Sequence, residues 1–435
     1  MLRYFQQEEW QSLFDETWST CKGRITRIIP EISKLRSSIE NHSNPHQVER
    51  TRAAIQDSRE GDDPELDERI LRRLREVHIW LNATNVEIDQ EAHSRVRADY
   101  PETGKWLLEN SSFKEWFDPN YVTDTPLLWI NGMAGAGKTF LASLSVEQCR
   151  SLMPEVPTTL FFYCKEGNSD RDTFVAVARG LLSQFLKQNA DLLDTFYQKS
   201  CRSGEKTLTS NNLITQLLNL AFRASSNAYV VLDGLDECPR AEQKRIVGWF
   251  QELAEGLPDS KVRCIFFSRH DGWIQRLFTG VDSIKISADK NHHDIENYSL
   301  LEALKLRETC QSLPEDTAKM IARDVVKVSK GQFLLARLIW NNLSSHTSVA
   351  RLRQEVEPGV FPTEINEAYR RTLVRLEQET PEQARADIFR LLGWLVCAKR
   401  PLKWYEIQAM KSIDLNQRKV DSEHHSFVKT HKNLC

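Results

Sequence analysis

The octapeptide Gly132-Met-Ala-Gly-Ala-Gly137-Lys138-Thr139 leaves this chain little freedom in how it can fold. It reads G-x-x-x-x-G-K-T and follows the apolar run Pro126-Leu-Leu-Trp-Ile130 directly, with Thr139-Phe-Leu-Ala-Ser-Leu-Ser-Val-Glu147 behind it. A loop of this pattern cradles phosphate only where a buried strand delivers it and a helix receives the anion on its N-terminal amides. The sequence supplies both. Gly132, Gly135 and Gly137 permit positive φ and close backbone approach. The amides of Gly132, Gly135, Ala136 and Gly137 would line the cradle. Lys138 would reach the β- and γ-phosphates, and the Thr139 hydroxyl would ligate magnesium. The competing reading, a glycine-rich turn that happens to contain Lys-Thr, leaves the strand and the helix unexplained.

Around this loop the pattern alternates. Short apolar runs read as strands at Leu127–Asn131, Thr158–Cys164, Tyr229–Asp233, Arg263–Ser268 and Ser283–Ser287. Helical stretches lie between them near Thr139–Cys149, Asp172–Gln188, Asn211–Ala224 and Ala241–Leu253. Strands alternating with helices give a parallel sheet covered on both faces. Val230-Val-Leu232 shows no polar alternation, as a strand buried on both faces requires. Upstream the chain reads as helical. The clearest helix starts at Asp63-Pro64 and carries Leu66, Ile70, Leu74, Val77 and Leu81 in one stripe, expected to pack within its own domain. After about residue 288 strands disappear, and helices are expected at Asp294–Glu308, Pro314–Ser329, Phe333–Leu343, Ile365–Gln378, Ala384–Ala398 and Trp404–Lys411. The fold class is therefore α/β, a P-loop NTPase sheet covered by helices and flanked by an N-terminal helical region and a C-terminal helical domain.

A second cluster completes the site. Tyr229-Val-Val-Leu-Asp233-Gly-Leu-Asp236-Glu237 is an apolar strand ending in acids. An acid at the carboxyl end of a strand beside a phosphate loop can hold magnesium, the role expected of Asp233. Glu237, with Asp236 as substitute, could orient or deprotonate an attacking water. A solvated acidic turn is the bland alternative, weakened by three acids standing where this chemistry needs them. Cys264-Ile-Phe-Phe-Ser268-Arg269-His270 brings a polar strand end to the same edge, where Arg269 could sense the γ-phosphate. No N-K-x-D guanine-reading motif is present, so the expected ligands are ATP or ADP with Mg2+.

Composition excludes several classes. Charged residues make up 27% with a net charge of −3, which gives no electrostatic footprint for nucleic acid. The N-terminus has no apolar signal region and no run is long enough to span a bilayer, so a cytoplasmic protein is expected. Nine cysteines include no C-x-x-C pair and read as reduced core residues. His292-His293 and His424-His425 read as solvent-exposed, and Trp106, Trp116, Trp249 and Trp340 as core.

Leu127-Leu-Trp-Ile-Asn-Gly-Met-Ala-Gly-Ala-Gly-Lys-Thr139, Leu232-Asp-Gly-Leu-Asp-Glu-Cys238 and Phe267-Ser-Arg269, in that order, resemble the NACHT family of signal-transducing P-loop ATPases, STAND proteins related to NOD-like receptors. The match is to the nephrocystin-like type abundant in filamentous fungi and covers about residues 97–411. Thr103-Gly-Lys-Trp-Leu107 and Phe113-Lys-Glu-Trp116 look like its lead-in, and Lys330-Gly-Gln-Phe-Leu-Leu-Ala-Arg-Leu338 looks like its helical-domain segment. Leu391-Leu-Gly-Trp-Leu-Val-Cys-Ala-Lys-Arg-Pro-Leu402 looks like the opening of its winged helix. The resemblance implies a helical N-terminal region over 1–96, a NACHT domain over 97–290, a helical domain over 291–380 and the start of a winged helix over 381–435. It also implies a switch: ADP holds a closed monomer, ATP opens it for self-association, and protein partners carry the signal in non-self recognition or programmed cell death. Gly331-Gln332-Phe333 stands where many related switches carry G-x-P. The chain stops at Cys435, inside or just after the expected winged helix and without the family's C-terminal repeats, which reads as either a fragment or a truncated gene model.

Two other functions compete with the switch. A metabolic P-loop kinase would need a lid and an acceptor pocket, which the helical tail does not suggest. A nucleotide-binding scaffold that keeps the fold without turnover is the other; intact Lys138, Thr139, Asp233 and Glu237 argue against it.

Overall fold

The computed structural model describes residues 64–118, 126–152, 157–225, 227–256 and 261–345, then 352, 354–356, 361–398, 402, 404–411, 413–414 and 419–420. The described residues fall into two compact units that meet in sequence at Arg371. The helix cap Asp63 and the pair His424-His425 lie outside the described residues.

In the first unit, β1 (Leu127–Asn131), β2 (Thr158–Tyr163), β3 (Asn227–Asp233), β4 (Lys261–Ser268) and β5 (Asp282–Lys285) form a wholly parallel sheet in the order β2-β3-β4-β1-β5. All five expected strands are present. Each residue of β1 is buried, as are the last six of β3, because helices cover both faces. This order puts β4 between the loop-bearing β1 and the acid-bearing β3. Asn131 is level with Ser268, and Asp233 with Phe267, so three strand tips end along one edge.

The edge strand β2 would leave a row of unpaired amides. Helix Phe174–Gln188 covers it and supplies two glutamines one turn apart. Gln184 accepts from the Phe161 N–H at 3.0 Å and donates to the Phe161 carbonyl at 2.8 Å, and Gln188 does the same for Thr159 at 3.0 Å each. Two side-chain amides thus imitate a sixth strand and close the edge. Gly180, one turn before Gln184, lets the helix approach: a Cβ there would stand 2.6 Å from the Phe162 ring.

Upstream, the stripe expected on helix Pro64–Leu81 is real. Ile70, Leu74, Val77 and Leu81 are buried in the same core as the sheet. Each fully buried aliphatic side chain there contributes on the order of 1.5–3 kcal/mol. Arg73 caps this packing with an ion pair to Asp194 on helix Leu192–Ser203. That helix was not expected from the sequence, although Leu192, Leu193 and Phe196 point its apolar face inward. A further helix, Glu87–Asp99, lies on the helix behind the phosphate loop through polar groups: Arg97 pairs with Glu147, Arg150 with Glu87, and Gln90 bonds the Ser143 carbonyl.

Beyond the sheet, helices Ala288–Thr309, Glu315–Ser329 and Phe333–Ser344 build a second core around Trp340, whose indole N–H donates to Ser299 at 3.1 Å. The second unit contains helices Glu382–Cys397 and Trp404–Lys411. It also holds a short antiparallel pair, Ile413–Asp414 with Lys419–Val420, in a region where the sequence predicts no strands. Two residues per strand carry too little alternation to register in a sequence.

Candidate nucleotide-binding site

The phosphate loop runs from the tip of β1 into helix Lys138–Arg150. Gly135 (φ 74°) and Gly137 (φ 91°) occupy the left-handed region, where a side chain would be strained. Gly132 has no positive φ; its need is space, since a Cβ would come within 3.0 Å of Ile286. Sequence reasoning offers one rationale for all three glycines, and the structure separates two. Ala136 donates to the Met133 carbonyl at 3.3 Å, tightening the loop's own turn. Lys138 folds back over the loop and donates to the carbonyls of Gly132 (3.1 Å) and Met133 (2.9 Å). Burial pulls the Lys138 ammonium below the usual lysine range, against the opposing pull of Asp236 and Asp233.

Asp233, at the tip of β3, is 6% exposed. Burial pushes its carboxyl up to about 7, even though the Thr139 hydroxyl bonds it and Lys138 adds a positive charge. A buried acid that one hydroxyl and one cation fail to hold in its usual range has room for a further positive charge. Hydroxyl and carboxylate are hard oxygen donors, the set that suits Mg2+. Thr139 and Asp233 therefore fit the cation expected of them.

The single 3-10 turn Leu235–Glu237 follows Gly234, itself at φ 74°, where a Cβ would meet the Cys164 carbonyl at 3.0 Å. This turn aims the two remaining acids differently. Asp236 reaches across to the tip of β4, accepting from the Arg269 backbone N–H at 2.9 Å and from its Nε at 3.1 Å. Glu237 instead accepts from the Glu166 backbone N–H at 3.1 Å, just past β2. Sequence reasoning placed Arg269 near the γ-phosphate and Asp236 near a water. The structure pairs them with each other, a direct result of β4 lying between β1 and β3. Behind Arg269, Ser268 is fixed by the Trp129 indole N–H at 2.8 Å, and Trp129 stacks on His270.

Sequence reasoning missed what lies on the outer side of the loop. The Gly135 carbonyl accepts from the Leu334 N–H at 3.1 Å, and the Ala136 carbonyl accepts from the Asn291 side-chain amide at 2.9 Å. Gly331 (φ 83°) packs so tightly on Ala288 that a Cβ would lie 2.5 Å from its Cα. The two hydrogen bonds to the loop join residues at least 155 apart in the chain, and no local pattern announces those pairings. Of the other groups singled out, His292 and His293 are exposed, Trp116, Trp249 and Trp340 are core, and Trp106 is only partly buried, beneath Lys290. Cys149, Cys164, Cys238, Cys264 and Cys310 are buried free thiols, whereas Cys201 and Cys397, expected in the core, are exposed.

An all-parallel sheet with a phosphate loop on β1 and an acid at the tip of β3 defines an α/β P-loop NTPase fold and a nucleotide-binding chain. Residues 102–269 match the family described as "Nephrocystin 3, N-terminal". Over 139 residues the chain is 30% identical to the vegetative incompatibility protein HET-E-1 of Podospora anserina, a stretch covering 31% of this chain and 10% of that protein. Among solved structures it is similar to the Walker-type ATPase paby2304 of Pyrococcus abyssi, at 14% identity over 65% of this chain and 83% of that one. The TM-score of 0.35 makes that likeness too loose to bear on function. The family match spans the phosphate loop, the acids after β3 and Arg269, so over residues 102–269 the chain is similar to that nephrocystin family. Among the described residues no helix is long and apolar enough to cross a membrane.

Proposed function

We propose that this chain is an ATP/ADP-binding, Mg-dependent NACHT-type signalling switch that opens and self-associates when ATP replaces ADP. The observation that supports it most is the meeting of Lys138, Thr139 and Asp233 at one sheet edge, with the turn 331–334 of the helical segment hydrogen-bonded to the same loop. A nucleotide held there rests on a loop tied to both the sheet and the helical segment, so its identity can bias their arrangement. The proposed division is a NACHT domain over 97–290, a helical domain over 291–380 and the start of a winged helix from 381. The aligned fungal relative is named for vegetative incompatibility, which favours a role in non-self recognition or programmed cell death.

In this reading the loop amides and Lys138 bind the phosphates, and Thr139 with Asp233 holds the magnesium. The cation, when bound, supplies positive charge against the phosphate oxygens. Glu237 positions the attacking water. Asp236 holds Arg269 by its backbone and side chain at the γ-phosphate end of the site. Turnover would be slow, serving to reset the switch.

Titration with a fluorescent ATP analogue and magnesium is expected to show binding that Lys138→Ala abolishes. Equal affinity in variant and wild type would sink the assignment. Sizing with ADP, then with a non-hydrolysable ATP analogue, is expected to show a larger particle only with the analogue. An unchanged monomer would favour a nucleotide-binding scaffold without turnover.

A further inference from the structure

The helix Ala288–Thr309 starts beside the phosphate loop, and its first turns carry two buried polar side chains, Asn291 and Asp294. Asn291 is 2% exposed. Its amide nitrogen has two hydrogens and uses both: one bonds the Ala136 carbonyl and the other the Gly331 carbonyl, each at 2.9 Å. Asp294, one turn on, accepts from the Gly104 N–H at 2.8 Å. Gly104 in turn presses on the loop's own helix, leaving no room for a Cβ against Leu141.

Peptide geometry gives the first of these contacts a consequence. Carbonyl and N–H of one trans peptide unit point in opposite directions. Holding the Ala136 carbonyl on the outer side turns the Gly137 N–H toward the inner, phosphate-facing side. The neighbouring Gly135 carbonyl is held on the same outer side by the Leu334 N–H. Two successive peptide planes of the loop are therefore set by groups from the helical segment, and Asn291 ties those groups together through Gly331. With φ of 74° and 91° at Gly135 and Gly137, the loop has wide conformational freedom of its own. The Ala136 N–H to Met133 turn and Lys138 restrain it from within; the Gly135 and Ala136 carbonyls are held from outside.

We propose that Asn291 is the positioning residue of the phosphate loop: its amide sets the Ala136–Gly137 peptide to present an amide to phosphate and joins that peptide to the 331–334 turn. The proposal rests on the nucleotide-binding reading above. No other side chain does this job in the same space. Aspartate has no hydrogen to donate and would set a charge against two carbonyls, alanine removes both bonds, and glutamine is a methylene too long for a buried slot.

The test uses the full chain and three variants: Asn291→Ala, Ser299→Ala and Lys138→Ala. Ser299→Ala removes a buried hydrogen bond from the same helix, to Trp340, far from the loop in sequence. It controls for simple destabilisation. Hydrogen exchange without nucleotide is expected to speed up across residues 132–141 in Asn291→Ala while β3 stays as slow as in wild type. Ser299→Ala should leave the loop unchanged. Affinity for a fluorescent ATP analogue is expected to fall about tenfold in Asn291→Ala and to hold in Ser299→Ala. Wild-type exchange across 132–141 in Asn291→Ala, or a loss of affinity equal to that of Ser299→Ala, overturns the proposal. If wild type and Lys138→Ala bind the analogue equally, the nucleotide reading fails instead, and the exchange arm, which needs no ligand, still decides the role of Asn291.

Discussion

Replacing Asp233 by Asn should stabilise the nucleotide-free protein while removing its response to magnesium nucleotide. The carboxyl rises from 3.8 to about 7 on folding, with burial as the main cause. At ~1.36 kcal/mol per tenfold step in proton affinity, the charged form carries a folding cost of roughly 4 kcal/mol, an upper figure because denatured chains are not fully solvated. The sign follows from linkage. A carboxyl whose folded value is raised favours the folded state below its unfolded value, and that advantage is lost as pH climbs through the folded value. Wild type and Asp233→Asn should therefore unfold at similar midpoints near pH 4, with the variant pulling ahead up to about pH 8. His78, which burial holds down at about 4, also makes stability pH-dependent, but it is common to both proteins and cancels in the difference. The assay is thermal unfolding of both proteins from pH 4 to pH 8.5, with and without Mg-ADP. With Mg-ADP at pH 8 the order should reverse, because the cation offsets the buried charge only where there is one. A midpoint gap independent of pH, or a variant less stable than wild type at pH 8 without ligand, would refute the reasoning.

Four further outcomes follow from the structure. Gly331→Ala puts a side chain at φ 83° and 2.5 Å from the Ala288 Cα, so a loss of roughly 2–4 kcal/mol is expected in denaturant unfolding, and a neutral result would contradict the packing. Gly180→Ala gains up to ~1 kcal/mol of helix propensity but drives a methyl into the buried Phe162 ring at 2.6 Å, so a net loss of about 1–2 kcal/mol is expected by the same assay. Glu237→Gln should keep nucleotide affinity and slow hydrolysis about 10²-fold or more in a phosphate-release assay. Asp236 is half-buried, but its partner Arg269 is 60% exposed, so solvent screens the pair to ~1 kcal/mol; asparagine keeps an acceptor for the Arg269 N–H, and Asp236→Asn should melt near wild type. Hydrolysis lost in Asp236→Asn but intact in Glu237→Gln would exchange the two roles.

The sequence was informative wherever one segment carried its own physics. Leu127–Asn131 is apolar at every position but its last because both faces are covered, and its bounds could be read directly. The stripe Ile70, Leu74, Val77 and Leu81 repeats at helical spacing, so its burial was legible too. Helix Leu192–Ser203 was harder to see: its apolar positions sit at its start, and Asp191, Asp194 and Lys199 make the remainder look like a loop. Pairing across the sheet was not legible at all. Asp236 and Arg269 are both polar groups just past a strand, and each alone suggests chemistry. Only the strand order, with β4 between β1 and β3, reveals that they meet.

The same limit explains the loop. Eight residues announced a phosphate cradle, yet the hydrogen bonds that fix its peptide planes come from Asn291 and Leu334. A glycine-rich segment has to recruit such restraints, because the φ freedom that lets it wrap a phosphate also lets it collapse onto itself. Lys138 bonded to Gly132 and Met133 is one such inward contact. Once the restraint comes from the helical segment, the loop cannot change shape without moving the 331–334 turn, nor the turn without the loop. On the proposed reading such a site would couple ligand to conformation, whereas a cradle restrained wholly from within would bind nucleotide and transmit nothing.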